Sequence, residues 1–190
     1  MRHAMNKIET FPASRFKFIT TKFEGLYLLE RSQINDNRGY FERAFCRDEF
    51  RNFSDVSTAQ INRSFTNKAG VIRGMHFQTA PYAEQKIVTC LTGKIFDVVI
   101  DIREDSLTYL QWQGFELSAE RPFSLVIPAG FAHGFQTLSQ ECLVEYFVNV
   151  PFTPSAERGV NAMDPTLAIE WPLPCTGISD KDQSIPFLQS

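Results

Sequence analysis

Three observations predict an all-β chain, an antiparallel sandwich or barrel. Short runs rich in Val, Ile, Phe and Thr recur from about Leu26 to Val150, parted by Gly, Pro, Asn and Asp. The clearest runs alternate with a period of two. Helical periodicity is nearly absent, and about ten strands at this spacing close most readily into packed or rolled sheets.

Met1 to Lys17 has neither an apolar signal core nor a cleavage-site pattern, and is expected to be a loose N-terminal arm. Asp48 to Phe53 is the one stretch where a short helix fits. Gln60 and Asn62 lie two apart, hence on one strand face. In the run Gly70-Val71-Ile72-Arg73-Gly74-Met75-His76-Phe77-Gln78, Arg73 and His76 have opposite parity. Both can reach one cavity only if the strand bulges, which Gly74 permits. Gln85 to Thr92 is a strand with Lys86, Val88 and Cys90 on one face. From Ile95 to Ile102, Phe96, Val98, Ile100 and Ile102 share one side, and Asp97, Val99, Asp101 and Arg103 the other. Tyr109 to Leu117 and Arg121 to Ile127 follow. From Glu141 to Val148, Val144, Tyr146 and Val148 face one way, Glu145 and Phe147 the other. Past Pro151 the pattern fails, and a Pro-, Asp- and Ser-rich segment is expected to fold back over the body. Without repeats or a linker, residues 1–190 are expected to form a single domain.

A chain of 190 residues can bury roughly 70% of its unfolded surface, enough for a core. Its 43% hydrophobic and 22% charged residues and net charge of −3 argue against nucleic acid or an acidic membrane as partner. No apolar run approaches the roughly 20 residues of a membrane helix. Cys46, Cys90, Cys142 and Cys175 show no Cys-x-x-Cys spacing, and three lie in apolar runs, which points to reduced thiols and a cytoplasmic location. Eighteen Phe exceed ordinary core needs, so some could stack on a ring-bearing ligand.

The anomaly is polar side chains at inward strand positions, since burying each unpaired costs about 1–3 kcal/mol. Taken singly, Gln60, Asn62, Arg73, His76, Lys86 and Tyr146 each suit a structural role. A sheet interior rarely needs all of them. A barrel metal site would want two His one residue apart, a Glu and a later His. His76 is followed by Phe77 and Gln78, and His133 has no carboxylate in its own strand, so a metal is not expected. Proton transfer beside a carbonyl fits better. A His base takes an α-proton, a Lys stabilises the enolate oxygen, and a Tyr returns a proton to the opposite face, inverting the centre. Arg38 and Arg73 suit an anionic handle such as a diphosphate.

From about Gly25 to Leu188 the chain resembles the dTDP-4-dehydrorhamnose 3,5-epimerase family. The motifs are Asp36-Asn37-Arg38-Gly39-Tyr40-Phe41, Gln60-Ile61-Asn62-Arg63-Ser64, Val71 to Gln78, Asp97 to Arg103, Ile127 to Phe135, Met163-Asp164-Pro165 and Ile178-Ser179-Asp180-Lys181-Asp182. The resemblance implies a cupin-type antiparallel jelly-roll barrel acting without a cofactor on nucleotide-linked 4-keto-6-deoxyhexoses. It puts the base at His76, its carboxylate partner at Asp182, with Asp180 the local competitor, and the acid at Tyr146. It puts Lys86 by the ketone oxygen, and Arg73 and His133 near the sugar. Gln60, Asn62 and Lys181 fall on substrate-binding positions. Arg38 and Phe41 would grip diphosphate and base from a neighbouring subunit, because the resemblance also implies a homodimer with exchanged N-terminal strands.

Two departures stand out. Arg43 occupies a position where many members have Glu, with Glu42 preceding it, and Phe152 stands where many have Tyr. The first bears on nucleotide choice, the second on how the sugar is held. The expected function is 3,5-epimerisation in deoxysugar biosynthesis. Its alternatives are mono-epimerisation of a CDP- or GDP-linked sugar, or sugar-nucleotide binding without turnover.

Overall fold

The alternation resolves into short antiparallel strands in the computed structural model, which describes residues 8–9, 14–51 and 58–188. In chain order they are β1 (Ile8–Glu9), β2 (Phe16–Thr20), β3 (Tyr27–Arg31), β4 (Gln33–Asp36) and β5 (Gly39–Glu42), then a single helical turn α1 (Arg47–Phe50). There follow β6 (Gln60–Thr66), β7 (Ile72–Gln78), β8 (Lys86–Thr92), β9 (Lys94–Asp101), β10 (Trp112–Ser118), β11 (Phe123–Ile127), β12 (Phe131–Thr137), β13 (Cys142–Val148), β14 (Glu157–Gly159) and a second turn α2 (Asp180–Gln183).

The strands form a seven-stranded sheet, β1-β2-β3-β11-β8-β13-β6, and a five-stranded sheet, β10-β9-β12-β7-β14, with β4-β5 as a separate hairpin. From β6 to β9 each successive strand crosses to the other sheet, as it does again from β11 to β14. That is the jelly-roll pattern, in agreement with the expected fold.

Three apolar clusters hold the layers together. Val88, Ile95, Val99, Leu125, Phe135 and Val144 lie between the sheets. Met75, Val98, Ile100 and Ala132 lie behind the five-stranded sheet, closed by Val160, Ala162 and Leu167 from the returning tail. Phe16, Phe18 and Leu29 lie outside the seven-stranded sheet, under Phe50 of α1. Each fully buried side chain of this size is worth about 1.5–3 kcal/mol relative to exposure. Both faces of β9 are therefore buried, although they alternate as expected.

Some boundaries move. The loose arm expected from Met1 to Lys17 is corrected where it is described: Ile8–Glu9 pair with β2, Phe16 and Lys17 belong to β2, and the Phe16 ring packs edge-on to Phe50 at 4.9 Å. The rest of it lies outside the described residues apart from Ser14 and Arg15. The helix expected over Asp48 to Phe53 begins at Arg47, and its last two expected residues lie outside the described ones. The strand expected from Tyr109 starts at Trp112. Asp101 accepts hydrogen bonds from Ser106, Thr108 and Arg103, and so folds residues 103–108 into a turn. Burial opposes ionisation of Asp101, but those bonds outweigh it and hold the carboxyl well below its usual range.

Candidate active site

The site begins with the bulge at Gly74. β12 pairs Phe135 with Arg73 and His133 with His76, so β7 carries one extra residue across that step. Gly74 has φ +130°, and a Cβ there would lie 2.5 Å from the Gly134 Cα. The bulge turns Arg73 and His76 toward one cavity, as their parity required.

That cavity, of about 390 Å³, lies between the two sheets. Gln60, Asn62 and Ser64 of β6, Lys86 of β8 and Tyr146 of β13 line one wall; Arg73 and His76 of β7 and His133 of β12 line the other. Tyr146 is paired with Asn62 on one side and Val88 on the other, which places it on the inner face as expected. Gln60 donates to the Asn62 side-chain oxygen at 2.7 Å.

His76 Nε2 donates to Asp182 Oδ1 at 2.6 Å. The imidazole is one-third exposed and the carboxylate almost closed off. Of the two carboxylates on α2, Asp180 is exposed and Asp182 reaches the ring. The tail is pinned for this purpose. Ser179 caps α2 by accepting from the Asp182 N–H at 3.1 Å, Asn161 donates to the Ile185 carbonyl at 2.6 Å, and Asp164 accepts from the Leu188 N–H at 2.5 Å. Lys181, expected to bind substrate, does not line the cavity. Its ammonium pairs at 2.6 Å with Glu157, itself a lining residue, so Lys181 meets the cavity edge through that carboxylate while Asp182 takes the inward side of the turn.

His133 Nε2 donates to Asp97 Oδ2 at 2.8 Å, an interaction the sequence did not suggest, since Asp97 lies on the adjacent strand β9. Burial, the dominant influence, pushes the Asp97 carboxyl up, against the pull of His133 and Lys86. Its other oxygen has no partner among the described residues. Glu84 was also missed; it forms an ion pair with Lys86 at 2.9 Å. A carboxylate inside the alternating run Ile95 to Ile102 was the available signal for Asp97. No signal marked Glu84. The Tyr146 phenol is pushed up, first by burial and then by the charges of Glu84 and Glu157, against Arg73.

Arg38 and Phe41 stand on the β4-β5 hairpin, exposed and away from the cavity of their own chain. Arg38 is paired with Asp36 at 2.6 Å. Glu42 clamps the hairpin base through Arg31 and Gln33, both at 3.1 Å, while Arg43 pairs with Glu49. Phe152 sits half-exposed at the cavity rim, its N–H donating to Gln60 at 3.2 Å.

Comparison with known proteins gives a consistent picture. The sequence profile described as dTDP-4-dehydrorhamnose 3,5-epimerase matches residues 20–190. A dTDP-4-dehydrorhamnose 3,5-epimerase from Sinorhizobium fredii is 42% identical over 163 residues, 85% of this chain and 84% of the relative. The crystal structure of the Bacillus anthracis dTDP-4-dehydrorhamnose 3,5-epimerase with TDP and PPi bound superposes with a TM-score of 0.88 at 39% identity, covering 91% of this chain and 99% of the other. That of the Legionella pneumophila dTDP-6-deoxy-D-glucose-3,5-epimerase, in complex with dTDP-4-keto-L-rhamnose, gives 0.83 at 33% identity, covering 92% and 100%.

Proposed function

The chain belongs to the dTDP-4-dehydrorhamnose 3,5-epimerase family, and on that premise we propose that it is an isomerase inverting C3 and C5 of dTDP-4-dehydro-6-deoxyglucose in deoxysugar biosynthesis. One observation carries the reading. His76 and Tyr146 enter the same cavity from facing sheets, so a sugar ring between them meets a base on one face and an acid on the other.

With Nε2 committed to Asp182, Nδ1 of His76 is the nitrogen free to take a proton from the carbon next to the ketone. The C–H electron pair becomes the C=C bond of an enolate, and its negative charge collects on the ketone oxygen beside the Lys86 ammonium. The Tyr146 hydroxyl then protonates the carbon from the opposite side, giving the inverted centre, a phenolate and an imidazolium. Proton exchange with solvent restores both groups. Asp182 stabilises the imidazolium and fixes its orientation. Arg73, His133, Gln60 and Asn62 hold the sugar and phosphates. Proton transfer of this kind requires no cofactor.

Arg38 and Phe41 act on a partner's cavity in a homodimer with exchanged N-terminal strands. Their exposure on a hairpin outside their own cavity, and β1 at the edge of the large sheet, support that arrangement. The enzyme works in the cytoplasm on a free nucleotide sugar.

Incubation with dTDP-4-dehydro-6-deoxyglucose in D2O should place deuterium at C3 and C5, followed by proton NMR. His76→Ala should slow this by roughly 10²–10⁴-fold, the usual worth of a general base. Tyr146→Phe should permit exchange without inversion. A fully active His76→Ala enzyme overturns the assignment. Inversion of one carbon alone would narrow the reaction to mono-epimerisation, and turnover only of CDP- or GDP-linked sugars would replace the substrate; both keep the chemistry.

A further inference from the structure

Lys86 carries three N–H donors on its ammonium. One is taken by Glu84 Oε1 at 2.9 Å and one by the His76 carbonyl at 3.3 Å. Among the described residues no further acceptor takes the third, and Lys86 lines the cavity. Glu84 continues the chain on its other side. Its Oε2 accepts from Gln78 Nε2 at 2.9 Å, the same nitrogen reaches the Tyr82 carbonyl at 3.2 Å, and Gln78 Oε1 accepts from the Thr153 N–H at 2.6 Å. The amide of Gln78 is thus oriented from both ends. The side chains of Lys86 and Glu84 are each about one-tenth exposed, and Gln78 is buried, so water competes little for these bonds.

We propose that Glu84 is a positioning residue for the reaction: it holds the Lys86 ammonium against the β7 backbone so that one N–H remains for the ketone oxygen, and Gln78 and Thr153 fix Glu84 in turn. This rests on the reading of Lys86 as the enolate-stabilising cation. Only a group that accepts at both ends satisfies the arrangement. A glutamine at position 84 would accept from Lys86 but set an NH2 against the NH2 of Gln78. Turning Gln78 over to relieve that would lose the Thr153 N–H and the Tyr82 carbonyl. Lys86 would then be held through a neutral, misregistered partner.

The charge of Glu84 has a second effect that separates this role from a purely structural one. Glu84 helps keep the Tyr146 phenol protonated, alongside burial and Glu157 and against Arg73. Removing the Glu84 charge leaves Arg73, Glu157, His76 and Lys86 in place and lowers the phenol's pKa. An acid is lost as pH rises through its pKa, so the alkaline limb of kcat should move to lower pH.

The test compares wild type, Glu84→Gln and Glu84→Asp on dTDP-4-dehydro-6-deoxyglucose, with kcat, KM and pH profiles read by NMR in D2O. Glu84→Gln should lose roughly 10- to 100-fold in kcat, the scale seen when the partner of an active-site group is removed, with KM changed far less. Its alkaline limb should shift downward. Glu84→Asp keeps the charge but shortens the arm, so kcat should fall while the limb stays near that of wild type, and this variant carries the test if Glu84→Gln does not fold. Wild-type kcat in both variants overturns the proposal, as does a loss of kcat in Glu84→Gln with an unmoved alkaline limb. If the wild-type protein incorporates no deuterium at all, the epimerase reading itself falls and takes this proposal with it.

Discussion

His76 and His133 are cross-strand partners, and each gives its Nε2 to a carboxylate, yet the two pairs are built for different work. The His133 side chain is 9% exposed and its partner Asp97 is wholly buried in the core between the sheets. The His76 side chain is 33% exposed and its partner comes from the far end of the chain, 106 residues away. Burial drives Asp97 toward its neutral form, and a neutral carboxyl stabilises an imidazolium poorly. A His–carboxylate bond alone therefore does not make a base. The far greater exposure of the His76 ring favours it over His133 as the imidazole that cycles a proton.

The largest effect that would break this comparison is at Asp182. Asp182→Asn keeps the Ser179 cap on α2 but deprives His76 of its anion, and deuterium exchange should fall by roughly 10²–10⁴-fold. Exchange at the wild-type rate would remove Asp182 from the proton-transfer machinery.

Next comes the backbone that sets the two rings side by side. Gly74→Ala forces a Cβ into the Gly134 backbone at a φ that side chains rarely adopt, and should cost about 2–4 kcal/mol, a fall of roughly 5–15 °C in Tm. An unchanged Tm by calorimetry would mean the β7–β12 approach is looser than the structure has it.

The smallest effect is at Asp97. Its folded-state pKa is raised, so the stability tied to its neutral form is complete below the usual value of 3.8 and is lost as pH rises through the folded value. Asp97→Asn removes that titration. The Tm of the variant relative to wild type should therefore improve as pH rises from below 4 toward neutrality. A flat difference would mean that folding does not shift the Asp97 carboxyl, and a difference of opposite slope around pH 4 would mean that pairing with His133 outweighs burial.

Much of the site was legible before any coordinates. A glycine between Arg73 and His76 required a bulge if both were to face one cavity, and the bulge is there. Gln60 with Asn62, and Lys86 with Val88, followed from strand parity alone. Asp182 and Tyr146 came from motif resemblance, because nothing in local spacing links residue 182 to residue 76. Lys181 came from the same motif, and the structure sets it one step behind the cavity wall, on Glu157. Glu84 escaped notice because it lies in a loop with no period to expose it.

The all-β class, the face on which each strand residue lies and the position of the bulge were written in the residue order, since these depend on the two-residue repeat and on the freedom of one glycine. That Asp97 meets His133, that Glu84 meets Lys86, and that Asp182 rather than Asp180 reaches His76 emerged from the packed fold alone. A strand's period says which side chains travel together. Which partners they meet depends on the packing of sheets, loops and tail around them, and local order carries no record of that.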